Sequence, residues 1–432
     1  MKTIRYPKKK DWSALMLRPA KKTVALQALV NKVFADIQRQ GDKAVMKYSK
    51  QFDSCAVVSI KVSRSEITQA TKAVTPDLKA AIELAKNNIT KFHAAQRETA
   101  QRIETTKGVT CWRESRAIER VGIYIPGGTA PLFSTVLMLG IPAKLAGCKE
   151  IVLCTPPNAE GNIHPAILYA AQLVGVTQIF KIGGIQAIGA MTFGTATVPR
   201  VHKLFGPGNQ YVTAAKQLAQ QQGVAIDMPA GPSEVLIIAD QQSVPEFVAA
   251  DLLSQAEHGS DSQVILLSDD AEVIAATLAA LAQQTKALPR QKIVAQALKN
   301  SKAIQFKSIA ECLAFSNAYS SEHLILAVKD SANYIKEIEN AGSVFLGNYS
   351  CESAGDYASG TNHTLPTNGY ARNYSGVSVD SFVKKITFQE VTAKGLQNIG
   401  PAIEQMAAAE QLDAHKNAVS IRLAAFAKPK KN

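Results

Sequence analysis

The sequence predicts an α/β protein that contains two doubly wound, incomplete Rossmann-like domains with helical N- and C-terminal extensions. Short apolar runs rich in valine, isoleucine and leucine alternate with longer helical segments between residues 121 and 328. Strands without polar alternation are typical of parallel sheets with both faces covered. Several runs end in glycine turns that lead into the next helix. Right-handed crossovers of this kind wind helices onto both faces of a sheet.

The first alternating stretch begins at VGIYIPG, an apolar run that enters a glycine turn and therefore predicts a strand. The run LFSTVLMLGIPAKLAG follows and is long enough to predict a helix. The same reasoning predicts strands at 121–127, 150–154, 178–182, 201–205, 224–228 and 234–240, and helices at 132–147, 164–175, from about 185, and 209–220.

A second alternating stretch follows. The segment EFVAADLLSQAEHG (246–259) predicts a helix because its apolar residues recur at helical spacing. Residues 23–100 are rich in helix formers, and the chain after about residue 380 is expected to be mostly helical. Further strands are predicted at 263–268, 303–308 and 323–328, and a long helix at 271–288.

The composition is that of a cytoplasmic globular protein. The 432 residues exceed one domain of ordinary size, and 46% of them are hydrophobic. No apolar run reaches the roughly 20 residues of a membrane helix, and the start MKTIRYPKKKDW lacks the apolar core of a signal peptide. The six cysteines form no C-x-x-C pair, which is typical of reduced thiols in the cytosol.

The net charge of +13 raises the alternative of a nucleic-acid-binding protein. Eight of the basic residues lie within residues 1–22, and three lysines lie within 428–431. A nucleic-acid-binding protein would more often carry its basic residues as a stripe on the folded body. We therefore expect solvated, lysine-rich ends and no nucleic-acid partner.

Histidine and carboxylate residues predict a metal site. Gln255 and His258 lie three residues apart, which places both on one face of a helix. Such a pair alone is more often an ordinary polar helix face. However, Asp356, His363 and His415 also lie in polar surroundings, the first two in glycine-containing segments. Imidazole and carboxylate ligands suit zinc.

Glu322 and His323 directly precede the predicted strand HLILAV. Imidazole titrates near neutral pH, so His323 is a candidate proton shuttle, while the carboxylate of Glu322 could activate water. A surface pair that ends a loop is the alternative.

Three glycine-containing loops, at 125–132, 182–189 and 205–212, follow predicted strands and lead into helices. Helix N-termini in this position receive phosphate groups. None has the Gly-x-Gly-x-x-Gly spacing of the dinucleotide fingerprint. Each loop alone is an ordinary tight turn, but three in one domain favour a cofactor crevice.

At these residues the chain closely resembles the histidinol dehydrogenases of histidine biosynthesis, over almost its whole length. The resemblance is dense and in order, and the run IDMPAGPSEVLIIAD followed by DLLSQAEHG is highly specific. The other segments that carry it are GIYIPGGTAPLFSTVLML, FGPGNQYVTAAK, SSEHLI, AGSVFLG, GDYASGTNHTLPT and AAEQLDAHKNAV.

The resemblance implies oxidation of L-histidinol through L-histidinal to L-histidine, the last step of histidine biosynthesis, with reduction of two NAD. It implies one zinc ion per subunit and a catalytic pair of Glu322 and His323. The implied zinc ligands are Gln255, His258, Asp356 and His415. The implied NAD contacts are Tyr124, Gln186 and Asn209, and the implied substrate contacts are Ser233, Gln255, His258, His323, Asp356, Glu410 and His415.

The resemblance also implies a homodimer in which the C-terminal segment completes the partner's site. We accordingly expect an N-terminal extension (1–20), a discontinuous first α/β domain (21–120 and 236–377), an inserted NAD-side domain (121–235) and a C-terminal helical segment (378–432). A zinc hydrolase with the same ligands is the alternative, but it lacks His-Glu-x-x-His and leaves the three glycine loops unexplained.

Overall fold

The computed structural model describes residues 1–19, 24–53, 55, 59–127, 130–229 and 231–427. The chain forms two compact units: unit 1 comprises Met1–Gln96 and Ile118–Phe382, and unit 2 comprises Arg97–Ala117 and Val383–Asn432. Residues 128–129 of the first glycine loop, and the lysine-rich end at 428–432, lie outside the described residues. None of the helices described combines the length and apolar character that a membrane span requires.

The strands are short, as expected for a parallel α/β protein. In chain order they are β1 (Lys2–Arg5), β2 (Ile103–Thr106), β3 (Val109–Ala117), β4 (Arg120–Tyr124), β5 (Glu150–Thr155), β6 (Gln178–Lys181), β7 (Lys203–Phe205), β8 (Ala225–Ile226), β9 (Glu234–Ala239), β10 (Gln263–Ser268), β11 (Lys302–Gln305), β12 (His323–Ala327), β13 (Ser343–Leu346) and β14 (Val383–Val391).

The helices alternate with the strands through most of unit 1. In chain order they are α1 (Trp12–Leu15), α2 (Val24–Gln40), α3 (Asp42–Phe52), α4 (Arg64–Ala73), α5 (Pro76–Ala94), α6 (Phe133–Ala146), α7 (Pro165–Val174), α8 (Gly184–Phe193), α9 (Gln210–Gln221), α10 (Pro245–Ala256), α11 (Ala271–Thr285), α12 (Gln291–Lys299), α13 (Ile309–Tyr319), α14 (Glu352–Tyr357), α15 (Ala393–Ala409) and α16 (Asp413–Ala427).

Two parallel sheets form the centre of unit 1. The five-stranded sheet has the order β6-β5-β4-β7-β8. The six-stranded sheet has the order β1-β11-β10-β9-β12-β13. In the five-stranded sheet the chain runs from β4 outward to β5 and β6 and then returns to the other side of β4 with β7 and β8. Apart from the edge strand β1, the six-stranded sheet repeats this order, from β9 outward to β10 and β11 and then to the other side of β9 with β12 and β13. This is the doubly wound arrangement, and the predicted fold class is confirmed.

Both faces of each sheet are covered, which explains why the strands have no polar alternation. In β9, Val235 and Ile237 face one hydrophobic cluster, whereas Leu236 and Ile238 face another. Helix α6 lies beside the five-stranded sheet and is buried along all of 134–143. Apolar side chains therefore follow one another without interruption in the strands and in this helix.

The N-terminal segment and unit 2 contain strands that the sequence pattern did not reveal. Strand β1 lies at the edge of the six-stranded sheet, parallel to β11. In unit 2, β14 pairs antiparallel with β3, and β3 with β2. Helices α15 and α16 follow β14, so the chain beyond residue 380 is mostly helical, as predicted, but begins with a nine-residue strand.

Candidate active site

Glu322 and His323 lie at the amino edge of the six-stranded sheet, where β12 begins. Both side chains are buried, and the Nδ1 atom of His323 lies 3.8 Å from the Oε2 atom of Glu322. The same carboxylate oxygen accepts a 2.9 Å hydrogen bond from the backbone N–H of Glu234, the first residue of β9. The two predicted catalytic residues are therefore neighbours inside the protein rather than a surface pair.

A group of candidate metal ligands adjoins this pair. One ligand atom each from His258, Glu352 and Asp356 lies within 4.8 Å of the other two. His258 follows the end of α10, while Glu352 and Asp356 are four residues apart on α14 and so share a face. We call these three residues the cation cluster. The Nε2 atom of His323 lies 3.6 Å from the Oδ1 atom of Asp356, which places Glu322 and His323 beside the cluster.

Gln255, another predicted ligand, lies in the last turn of α10 and is buried. Its amide nitrogen is 3.4 Å from the Oε2 atom of Glu322. If the amide group is turned over, its nitrogen donates to Glu352 and its oxygen accepts from the N–H of Glu234 at 2.7 Å. The side chain of Gln255 thus lies between the carboxylate of Glu322 and the cation cluster in either orientation.

Burial and mutual charge interactions shift the pKa values of the buried groups at this site. Burial raises the pKa of Glu322 to about 7, opposed by His323. Burial lowers the pKa of His323, but Glu352 and the other nearby carboxylates outweigh it and raise the pKa to about 10. Burial also raises the pKa of Glu352 far above its ordinary value. Carboxylates packed this closely need positive charge to stay ionised.

The donor set fits a metal ion on a second ground. Both ring nitrogens of His323 are buried, and neither has a hydrogen-bond partner among the described residues. Buried polar atoms of this kind are rare unless a ligand or water completes them. Imidazole, carboxylate and amide groups also lie close together at this site, and zinc binds nitrogen and oxygen ligands of these kinds.

The structure places the remaining predicted substrate residues in two regions. Ser233 directly precedes β9, and its carbonyl oxygen accepts from the N–H of Gln263 at 3.2 Å. Glu410 and His415 belong to unit 2, where they lie on either side of the turn between α15 and α16 and are exposed. Their assignment as substrate or metal residues stays a prediction.

The three predicted cofactor residues lie at the carboxyl edge of the five-stranded sheet. Tyr124 ends β4, Gln186 lies in the first turn of α8, and Asn209 caps α9 by accepting from the N–H groups of Tyr211 and Val212. The strand order reverses between β4 and β7 at this edge, which is where doubly wound sheets bind ligands. Tyr124 and Gln186 are almost fully buried.

Two residues that the sequence analysis did not select contribute to these regions. Glu352 belongs to the cation cluster, and its spacing of four from Asp356 was a usable signal. Asp53 accepts from the amide nitrogen of Gln186 at 3.0 Å and from the N–H of Gly183 at 3.2 Å. No local pattern connects Asp53 with a loop 130 residues away.

Comparisons with known proteins agree on one family. A family model described as histidinol dehydrogenase matches residues 16–423. The chain is 57% identical to a histidinol dehydrogenase of Bacteroides thetaiotaomicron, with 98% of this chain and 99% of that protein covered. The Yersinia pestis histidinol dehydrogenase is 51% identical, with 96% and 93% covered. A crystal structure of histidinol dehydrogenase from Elizabethkingia anophelis is 63% identical, covers 99% of each chain and has a TM-score of 0.98.

The range matched by the family model contains every segment in which the sequence resembled this family. The matches favour a dehydrogenase over the hydrolase and the nucleic-acid-binding protein considered from the sequence. The predicted enzyme class, an oxidoreductase, is confirmed with the family. The chain belongs to the histidinol dehydrogenase family.

Proposed function

We propose that this protein oxidises L-histidinol to L-histidine in two successive steps, with a zinc ion and two NAD per substrate. The observation that carries the proposal is the position of the buried pair Glu322 and His323 beside the cation cluster. Membership of the histidinol dehydrogenase family supplies the substrate. A buried acid–base pair next to candidate metal ligands suits an enzyme that positions a polar substrate and moves its protons.

Gln255, His258 and Asp356 would hold the zinc ion, together with His415 of the partner subunit. Zinc, when bound, supplies positive charge that holds and orients the nitrogen atoms of the substrate. The edge with Tyr124, Gln186 and Asn209 would bind NAD, which supplies the hydride acceptor. The other residues proposed to contact substrate are Ser233 and Glu410, with Gln255, His258, His323, Asp356 and His415 also facing it.

Proton transfers are assigned to the two buried residues. A cation bound in the cluster would lower the pKa of His323, and its neutral imidazole would accept the proton of the alcohol oxygen in the first step, as the carbon loses a hydride. In the second step Glu322 takes a proton from water, and the resulting hydroxide attacks the aldehyde carbon. His323, after releasing its first proton to solvent, then takes the proton of the hydrate as the second hydride leaves, and the carboxylate of histidine remains.

No thiol is required for this sequence of steps. Cys154 is fully buried within β5, and burial raises the pKa of its thiol. A reactive thiolate needs a lowered pKa and access to its substrate. Neither condition holds at Cys154.

A cytoplasmic homodimer, in which the C-terminal segment of one chain completes the site of the other, belongs to the same proposal. Unit 2 supports it because large apolar side chains there are solvent-exposed, and a subunit interface would cover them. The exposed apolar side chains include Ile103, Met406, Leu412, Ile421 and Phe426. The predicted division into four segments also stays a prediction.

The proposal is tested by counting NADH formed per L-histidinol with zinc-loaded protein and with protein treated with a chelator. We expect two NADH per substrate, loss of activity on chelation, and recovery when zinc is restored. One NADH per substrate would remove the second step from the proposal. Full activity in protein shown by elemental analysis to be free of metal would remove the zinc.

A further inference from the structure

A buried ion pair between Arg18 and Glu234 lies next to the carboxylate of Glu322. The guanidinium group of Arg18 binds both carboxylate oxygens of Glu234, at 2.5 Å from Nε and 3.0 Å from Nη2. The side chain of Arg18 is 13% exposed and that of Glu234 is 2% exposed. A paired arginine at such a position fixes the direction of a carboxylate, because its planar fork matches both oxygens.

Tyr319 joins this pair from the other side. Its hydroxyl group lies 3.1 Å from the carboxylate of Glu234 and 2.7 Å from the side-chain oxygen of Gln263. Its backbone carbonyl accepts from Nη2 of Arg18 at 2.7 Å. The guanidinium carbon of Arg18 also lies 3.9 Å from the centre of the Tyr319 ring. Arginine forms such stacked contacts better than lysine does.

Arg18 therefore connects the two chain segments that meet at Glu322. Glu234 begins β9 and donates its backbone N–H to the Glu322 carboxylate. Tyr319 ends α13, and Ser320 after it has a φ of 58°, a left-handed turn that leads into Glu322 and β12. Because Arg18 binds both segments, it sets the distance between that N–H donor and that carboxylate.

We infer that Arg18 is a positioning residue, which acts through Glu234 and Tyr319 to aim the carboxylate of Glu322 at the reacting water. The inference rests on the proposed function, because it assigns the effect to the aldehyde-oxidising step. Arg18 does not touch the cation cluster or the cofactor edge in this arrangement. Its loss should therefore leave metal binding and the first step nearly intact.

The test compares both steps in Arg18→Lys, supplied with L-histidinol or with L-histidinal. We expect kcat for L-histidinal to fall about tenfold to a hundredfold, with the KM for NAD, the zinc content and kcat for alcohol oxidation near the wild-type values. Arg120→Lys is the matched control, since Arg120 pairs with Glu150 at 2.5 Å in the same unit but at the other sheet. Equal losses in both steps would overturn the inference.

A double-mutant cycle with Glu322→Gln separates the inference from the proposed function. We expect Arg18→Lys to add no further loss of aldehyde oxidation to Glu322→Gln, because both changes remove the same aimed carboxylate. Additive losses would overturn the positioning role while leaving the proposed function in place. If Glu322→Gln alone spares aldehyde oxidation, the assigned role of Glu322 and the inference both fail. If Arg18→Lys does not fold, Tyr319→Phe replaces it, because it removes only the hydroxyl group.

Discussion

The carboxylate of Glu352 is the least expected group in the candidate active site. It is almost fully buried, lies on the same face of α14 as Asp356, and belongs to the cation cluster. A buried carboxylate without a nearby positive charge is costly. A cation bound at the cluster would supply such a charge in addition to that of His323.

We expect Glu352→Gln to weaken zinc binding about tenfold to a hundredfold, because the amide keeps the shape of the side chain but removes one negative charge near the metal. The measurement is competition for zinc with a coloured chelator, with thermal unfolding as a check on folding. Glu257→Gln is the matched control, since Glu257 is next to His258 but is outside the cluster. An unchanged zinc affinity in Glu352→Gln would show that the carboxylate serves packing alone.

The site residues that could be selected from the sequence are those that lie close to one another along the chain. Glu322 and His323 are adjacent in sequence, and Gln255 is one helical turn from His258, so local pattern was enough to select them. Asp53 and Arg18 are different, because each acts on a partner more than 100 residues away. A single sequence contains no signal that pairs such residues.

At the level of elements, the loop after β7 is held by a buried ion pair. Lys216 on α9 pairs with Asp227, and both side chains are almost fully buried. Lys216 donates to the carbonyl oxygen of Gly206 at 2.9 Å, and Asp227 accepts from the backbone N–H of Gly206 at 2.8 Å. Gly206 has a φ of 128°, and a Cβ atom there would lie 2.1 Å from the carbonyl oxygen of Tyr124. The ion pair thus holds Gly206, and with it this loop, close to the end of β4.

We expect Lys216→Met to lower the free energy of unfolding by about 3–5 kcal/mol, because it leaves Asp227 as an uncompensated buried charge. Urea unfolding followed by circular dichroism measures the change. Lys149→Met is the control, since Lys149 pairs with Glu119 at 3.5 Å on the exposed surface, where ion pairs contribute little. Similar shifts for both variants would contradict the explanation.

Most elements of unit 1 followed from local pattern, whereas the sheet of unit 2 did not. The buried strands are continuous apolar runs between turns, so strands such as β5 and β10 lie where expected. Strand β14 contains the charged residues Lys384, Lys385 and Glu390 and pairs with β3, about 270 residues earlier in the chain. Its stability comes from that distant pairing, which no local window contains.

At the scale of the whole molecule, the candidate metal region and the candidate cofactor region lie at edges of different sheets in unit 1. The cation cluster and Glu322 adjoin the amino edge of one sheet, and Tyr124 adjoins the carboxyl edge of the other. His363 connects them, because its Nδ1 atom lies 2.8 Å from the carbonyl oxygen of Asp356 and its Nε2 atom lies 3.0 Å from the hydroxyl of Thr135 on α6. Helix α6 follows β4, so the two hydrogen bonds of His363 connect the cation cluster with the element that follows Tyr124.

The proposed dimer makes a prediction about mixed subunits. A chain carrying Glu322→Gln and a chain carrying His415→Ala, co-expressed with different tags and purified as a mixed dimer, should recover about half of the wild-type activity. One of its two sites would combine the intact Glu322 of the second chain with the intact His415 of the first, whereas the other would lack both groups. The two homodimers of single variants serve as controls. If each chain supplies its own His415, both sites of the mixed dimer carry one defect, and mixing restores no activity.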